Sequence, residues 1–211
     1  MIVNMKRRFC PIPRPQGYHH GDLRRALLMA ARQLVDQGGT SALTLRAAAQ
    51  HAGVSPAAPY RHFEDRDALL AAVLAEGFRE LASTTEAARV AATTPIDSYL
   101  AVGRAYLQFA AGHPQLYSLM FGPECNKLQH PDLLDAGQEA FAVVLRTARE
   151  CVEAGMAGTH SADDVALAGW SVVHGLASLQ GDGVLGRITQ RPLPDVAQAL
   201  FTILVNGVAP R

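Results

Sequence analysis

The sequence predicts an all-α chain in two parts: an N-terminal three-helix unit, then a longer helical half, about nine helices in all. Three observations carry that expectation. Apolar residues recur at three- to four-residue spacing through most of the chain, which is the period of amphipathic helices. No segment alternates apolar and polar with period two, as a half-buried strand requires. The breaks between periodic segments fall on helix punctuators: Gly38-Gly39, Gly53, Thr94-Pro95, Gly112-His113-Pro114, Gly122-Pro123, Pro131, Gly155 to Gly158, and Pro192 to Pro194.

In chain order, residues 1–17 mix Lys6, Arg7, Arg8 and Arg14 with Pro11, Pro13 and Pro15, and read as a flexible basic arm. From about Asp22, Leu23, Leu27, Ala30, Ala31 and Leu34 line one face of a first helix ending at Gly38-Gly39. Thr44 precedes an alanine-rich helix that Gly53 stops, and Ser55-Pro56 predicts a restart, since serine caps and proline suits a first turn. Asp65 and Asp67 place carboxylates at the start of a fourth helix, where the dipole favours them; Leu70, Val73, Leu74 and Leu81 form its apolar side. Further on, Thr94 with Asp97 and Ser161 with Asp164 have capping-box spacing. The predicted domains are the arm (1–17), the three-helix unit (18–75) and a helical unit (76–211).

The chain has 211 residues, 49% of them hydrophobic, so it has material for a real core. Its net charge is zero, but residues 1–75 hold 10 Lys+Arg against 5 Asp+Glu (+5) and residues 76–211 hold 9 against 14 (−5). Such asymmetry suggests a basic module that meets a polyanion and an acidic one that does not. Cys10, Cys125 and Cys151 are odd in number and widely spaced, which implies neither a disulfide framework nor a zinc site and suits a reducing cytoplasm. MIVNMKRRF has the charges of a signal peptide, but prolines follow where an apolar run is needed. No run of about 18 apolar residues is present to span a membrane.

Residues 44–66 carry the chemistry. A helix-turn-helix needs small inward residues on its first helix, supplied by Ala48, Ala49 and Ala52. Gly53 permits the turn and Val54 plugs the angle. Small Ala57 and Ala58 let a second helix approach the floor of the groove, and Tyr60, Arg61 and His62 suit phosphates and bases. Pro59 lies where the ladder of hydrogen bonds should begin, which predicts an irregular start.

The stretch resembles the DNA-binding domain of the TetR (tetracycline-repressor-like) family. The resemblance rests on Thr44, Leu45, Ala52, Gly53, Val54, Ser55, Tyr60, Phe63 and Arg66, and covers about residues 18–75. It implies phosphate positioning by Thr44, Tyr60 and Arg66, and a groove-facing set of Ser55, Ala57, Ala58, Arg61 and His62, with Arg46 able to reach either. The other reading of Tyr60 is a packing residue, and Phe63 belongs to the core. His19, His20, Arg24 and Arg25 beside the arm could add backbone contacts, or the arm could be an idle solvated tail.

In the second half, Trp170 and His174 lie one helical turn apart. The run Trp-Ser-x-x-His-Gly-Leu-Ala resembles the C-terminal domain of a TetR subgroup marked by Trp, His and Gly at this spacing. That resemblance implies dimerisation through the last two long helices, with Gly169, Gly175, Val196, Leu200, Phe201 and Leu204 at the interface. It also implies an enclosed pocket, for which Tyr106, Phe109, Tyr117, Met120, Phe121, Trp170 and His174 are the candidate lining, each with ordinary core packing as the alternative. The acidic balance suggests a cationic ligand, and a solvated acidic surface accounts for it equally.

The function expected is a repressor that binds a palindromic operator in double-stranded DNA as a homodimer and leaves it when a small effector binds. The alternatives are a DNA-binding protein with no small ligand, or a helical enzyme with a coincidental basic module. Residues 181–186 match a dinucleotide fingerprint by letter, but a helix precedes them where a strand is required. Cys125 and His130 lack a third group to orient them, and the eight histidines show no ligand spacing. No catalytic residue, metal or cofactor is expected.

Overall fold

The structure, a computed structural model, describes residues 20–206. Among the described residues the fold is all-helical, with α1 (His20–Ala42), α2 (Leu45–His51), α3 (Arg66–Ala91), α4 (Pro95–Gly112), α5 (Pro114–Phe121), α6 (Pro131–Glu153), α7 (Ala162–Gly181), α8 (Leu185–Ile188) and α9 (Leu193–Asn206). Two short 3-10 turns, Pro59–Arg61 and Lys127–Gln129, complete it. The chain divides into two compact units, with the boundary between Val73 and Leu74, inside α3. The basic arm expected over residues 1–17 lies outside the described residues, as does His19.

In the first unit, Leu27 or Leu28, Ala31 and Val35 follow one another at three- to four-residue steps along α1 and are fully buried, α1 packing on α2, whose Leu45, Ala48 and Ala49 are buried, as are Phe63, Leu69 and Leu70 beyond it. Gly39, at φ 63°, kinks α1 and lets the chain make one more turn to Ala42. Thr44 caps α2: its hydroxyl oxygen accepts from the Ala47 N–H at 3.0 Å. The other end closes in a Schellman motif around Gly53 at φ 69°, with Gly53 N–H donating to Gln50 O at 3.2 Å and Val54 N–H to Ala49 O at 3.0 Å. Asp65 caps α3 by accepting from the Ala68 N–H at 2.8 Å.

The helix expected to restart at Ser55-Pro56 does not form as an α-helix; the segment folds as turns and then the 3-10 turn Pro59–Arg61. Pro59 has no N–H to give the Ser55 carbonyl, so Ala58 N–H takes it three residues on, at 3.0 Å. The tighter spacing then propagates, Arg61 N–H donating to Ala58 O and His62 N–H to Pro59 O.

In the second unit, α6 buries Leu133, Ala136, Ala140, Val143, Val144, Thr147, Ala148 and Cys151, a continuous stripe at helical spacing. Helices α4 and α7 pack on it and on each other. Ser161 and Asp164 close a reciprocal capping box at the head of α7. Glu86 and Arg89 of α3 interlock with Arg146 and Glu150 of α6; hydrogen bonds from Arg89, then Arg146, hold the Glu86 carboxyl down at about 2. Arg146 and the other members are partly solvated, so the network orients helices more than it stabilises them.

Glycines set the spacing of the helices. A Cβ on Gly103 of α4 would lie 2.9 Å from the Phe201 ring of α9. On Gly169 of α7 a Cβ would overlap the Tyr99 hydroxyl, which donates to Val165 O at 2.7 Å. Burial pushes the Tyr99 hydroxyl up to about 12, so it stays a donor. Gly169 and Phe201, expected at a dimer interface, are therefore intrachain packing residues, Phe201 being 3% exposed. Gly169→Ala should cost about 1–3 kcal/mol by overpacking and displace Tyr99 from Val165. Thermal unfolding measures this, and an unchanged midpoint would contradict the close contact.

Candidate functional site

The first unit presents a polar turn. Arg46 and Gln50 sit one turn apart on the exposed side of α2, opposite buried Leu45, Ala48 and Ala49. After the Gly53 turn, Ser55, Ala57, Tyr60 and Arg61 are exposed, with Tyr60 at 64%, while Ala58 is half-buried and Pro59 is buried. Among the described residues, no hydrogen-bond partner engages the side chains of Arg46, Ser55, Tyr60 or Arg61. The Thr44 hydroxyl accepts from its own helix and keeps its proton for another acceptor.

Two expected contact residues are placed differently. Arg66 turns inward, donating through Nε to Leu43 O at 3.0 Å and through Nη2 to Thr40 O at 2.8 Å, and pairing with Asp67 at 3.0 Å. It clamps the chain between α1 and α2 instead of reaching a phosphate, because the carbonyls that end α1 point toward it: Leu43 O accepts from its Nε, and Thr40 O, which also accepts from Leu43 N–H at 3.2 Å, takes Nη2 as a second donor. His62 also points inward: its Nε2 is buried without a partner and its ring lies 6.5 Å from Phe63. Arg24 lies 5.6 Å above the Phe63 ring, a cation–π contact that spends its charge inside the unit.

The second unit contains a cavity of about 580 Å³ walled by α3, α4, α5, α6 and α7. Tyr106, Phe121 and Trp170 line it, as expected of them. Phe78, Leu133, Leu134, Phe141 and Leu145 line it too and escape the sequence reading. Helical periodicity marks those α6 positions as inward but cannot distinguish a packed neighbour from a hollow. Phe109 and Met120 are corrected to core: Phe109 packs on His113 at 5.1 Å, and Met120, fully buried, has its sulfur beside Gly77. Tyr117 and His174 border a second, more polar hollow of about 660 Å³, and Phe121 borders both hollows.

A buried polar triad joins the walls. Tyr117 Oη lies 2.7 Å from His174 Nδ1, Tyr106 Oη lies 3.0 Å from it, and the two hydroxyls are 3.1 Å apart. Nδ1 of a neutral imidazole offers one lone pair, so Tyr117, with the shorter contact, donates to it and Tyr106 donates to the Tyr117 oxygen. The His174 proton then sits on Nε2. Trp170 stacks on the His174 ring (5.1 Å, 25°) and Phe121 meets it edge-on at 4.6 Å. Burial holds His174 below the usual histidine range and pushes both tyrosines up, keeping all three groups neutral.

On the outer sides of α7 and α9, Gly175, Val196 and Leu200 are half-buried, whereas Leu204, expected with them at the interface, turns inward beside Phe201 and lines a small hollow against α4. Leu179 at 38% and Ile203 at 48% exposure join the same helices' open apolar surface and are missing from the sequence expectation.

A short doubly capped helix, its glycine turn and a separate helical unit with a hollow interior define the class of helix-turn-helix proteins with a helical second domain. Residues 27–73 match the family described as bacterial regulatory proteins, tetR family, and residues 99–207 match the tetracyclin repressor-like C-terminal domain. The chain belongs to the TetR family.

HTH-type transcriptional regulator Rv1816 of Mycobacterium tuberculosis is 34% identical over 96 residues, a match taking in 44% of this chain and 41% of that regulator. The chain thus matches less than half the length of that relative. A protein of unknown function from Rhodococcus sp. RHA1 is similar in structure over 93% of this chain and 100% of its own, with 34% identity and a TM-score of 0.78. The regulator FadR from Bacillus subtilis, solved with stearoyl-CoA, shares the fold over 88% of this chain and 99% of its own, with 14% identity and a TM-score of 0.68.

The triad sets a pH dependence. Because burial lowers the folded pKa of His174, the unfolded chain takes up the proton first as pH falls. The stability held by the neutral ring is complete above the unfolded value of about 6.5 and is lost as pH falls from there through the folded value. The loss of unfolding midpoint between about pH 7 and pH 5 should shrink in His174→Asn. An identical pH slope in protein and variant would refute the assignment.

Proposed function

We propose that the chain is a sequence-specific DNA-binding transcriptional regulator: a homodimeric cytoplasmic repressor released from a palindromic operator by a small effector. The observation that carries this is the turn after α2, where Ser55, Tyr60 and Arg61 are exposed and unpartnered among the described residues behind a helix capped at both ends. Thr44, Arg46 and Tyr60 are the proposed phosphate contacts, and Ser55, Ala57, Ala58 and Arg61 the groove-facing set. Backbone approach is easiest where side chains are small, which suits Ala57 and Ala58 to the groove floor.

The effector site of the proposal is the 580 Å³ cavity of the second unit, a volume within the usual span for small ligands. A regulator of the same fold, FadR from Bacillus subtilis, was solved in complex with stearoyl-CoA, which supports reading this chain as ligand-responsive. The dimer face of the proposal is the open apolar surface of α7 and α9, with Gly175, Leu179, Val196, Leu200 and Ile203. The domain division at about residue 75, with an arm over 1–17, belongs to the same proposal. No catalytic step is assigned to any residue.

Selection from a random double-stranded library should return an inverted repeat protected by two subunits. Arg46→Ala should weaken binding on all sequences alike and reduce the salt slope by about 1 for one lost phosphate contact. Arg61→Ala should instead relax preference at one base position. Leu179→Asp with Ile203→Asp should yield monomers in sedimentation and abolish operator binding. A chain that is monomeric as purified, or that selects no sequence, sinks the proposal.

A further inference from the structure

The charge around the cavity is one-sided. Its described lining has no Asp or Glu, and its formally charged member is Lys127. Lys127 opens the 3-10 turn Lys127–Gln129 between α5 and α6 and is half-buried. Its Nζ donates to Gly122 O at 2.5 Å. An ammonium carries three donors, and among the described residues no carboxylate lies within salt-bridge distance of this one. Arg79, Arg89 and Arg146 of the same unit, by contrast, each have an acidic partner. This half-buried ammonium at the edge of apolar walls thus has one neutral acceptor and no counter-charge within reach among the described residues.

The rest of the lining supplies no competing charge. The Tyr106 hydroxyl is committed to the triad, and the Thr85 hydroxyl donates to Leu81 O at 2.8 Å. Phe78, Phe121, Phe141 and Trp170 offer ring faces and edges to an apolar body. The acidic excess of residues 76–211, which suggests a cation from sequence, does not extend to this cavity. Of the acids of α3 and α6, Glu86, Glu150 and Asp132 are spent on the arginines, and none of the others lines the cavity.

We infer that the effector is an amphipathic anion: an apolar body held among the aromatic rings of α3, α5, α6 and α7, with one anionic head paired to Lys127. This rests on reading the cavity as the effector site. Binding replaces the Gly122 carbonyl, or adds to it, as the acceptor at Nζ and exchanges an ammonium–carbonyl hydrogen bond for a hydrogen-bonded ion pair, in which both partners are charged. Selectivity follows from the same pairing. A cationic head meets Lys127 with like charge, and a neutral head forgoes the ion pair.

The chain has one tryptophan, Trp170, and it lines the cavity, so its emission reports occupancy. Titrations of the full chain near neutral pH, below micelle-forming concentrations, use decanoate, decan-1-ol and decyltrimethylammonium, three heads on one body. Decanoate should bind about tenfold tighter than the alcohol, as expected of a hydrogen bond to a charged group, and the ammonium weakest. Lys127→Gln should bring decanoate to the level of decanol while leaving decanol unchanged, and Lys127→Arg should keep the preference.

Equal affinity for the three heads, or a Lys127→Gln variant that weakens all probes alike, overturns the anionic effector and leaves the cavity as the effector site. Silence of Trp170 toward every probe overturns both. The ranking on the unaltered chain decides the matter even should a variant fail to fold.

Discussion

Helices α7 and α9 lie close against α4 because two positions carry no side chain. At Gly169 the space of a missing Cβ is taken by the Tyr99 hydroxyl, and at Gly103 by the rim of the Phe201 ring. The Tyr99 hydroxyl, once inserted, must find an acceptor, and the Val165 carbonyl provides it. The approach brings Trp170 and His174 of α7 to Tyr106 of α4 and to Tyr117 and Phe121 of α5, so the chemistry of the cavity wall follows from helix spacing. A wider spacing would leave those rings in water and the hydroxyls without one another.

Within that wall the triad is a polar insertion in an apolar shell. Three hydrogen-bonding groups that would each be costly to bury alone satisfy one another, and none carries charge. The arrangement fixes ring orientations that apolar contact leaves free, since a tyrosine ring can slide along a neighbour but its hydroxyl cannot leave an acceptor without loss. The fixed rings in turn hold the sides of the cavity apart.

Much of this was legible in the residues. The caps at Thr44, Thr94 and Ser161, the turn at Gly53 and the inward Ala48 and Ala49 follow from local rules, and local rules act whatever the tertiary setting. Pro59 signals an irregular second half of the motif, but sequence could not say that the α-helix would give way to a 3-10 turn, since that depends on where Phe63 and buried Pro59 anchor.

Sequence does not place Arg66 and His62, because an arginine or histidine in a basic stretch looks the same whether it faces solvent or turns inward to the carbonyls of a helix end or to an aromatic ring. Gly169 and Phe201 show a related ambiguity: small and apolar residues mark a close contact without revealing whether the neighbour is in the same chain. Phe141 and Leu145 show another, for an inward face meets packed atoms or empty space with the same periodicity.

Phe121 stands between two hollows, one nearly all apolar and one edged by serine, glutamine and aspartate side chains. A ring shared by both walls makes the shape of each hollow depend on one residue. The close glycine contacts that set the helix spacing belong to Tyr99 and Phe201, so a change at that ring reshapes the hollows and leaves those contacts in place.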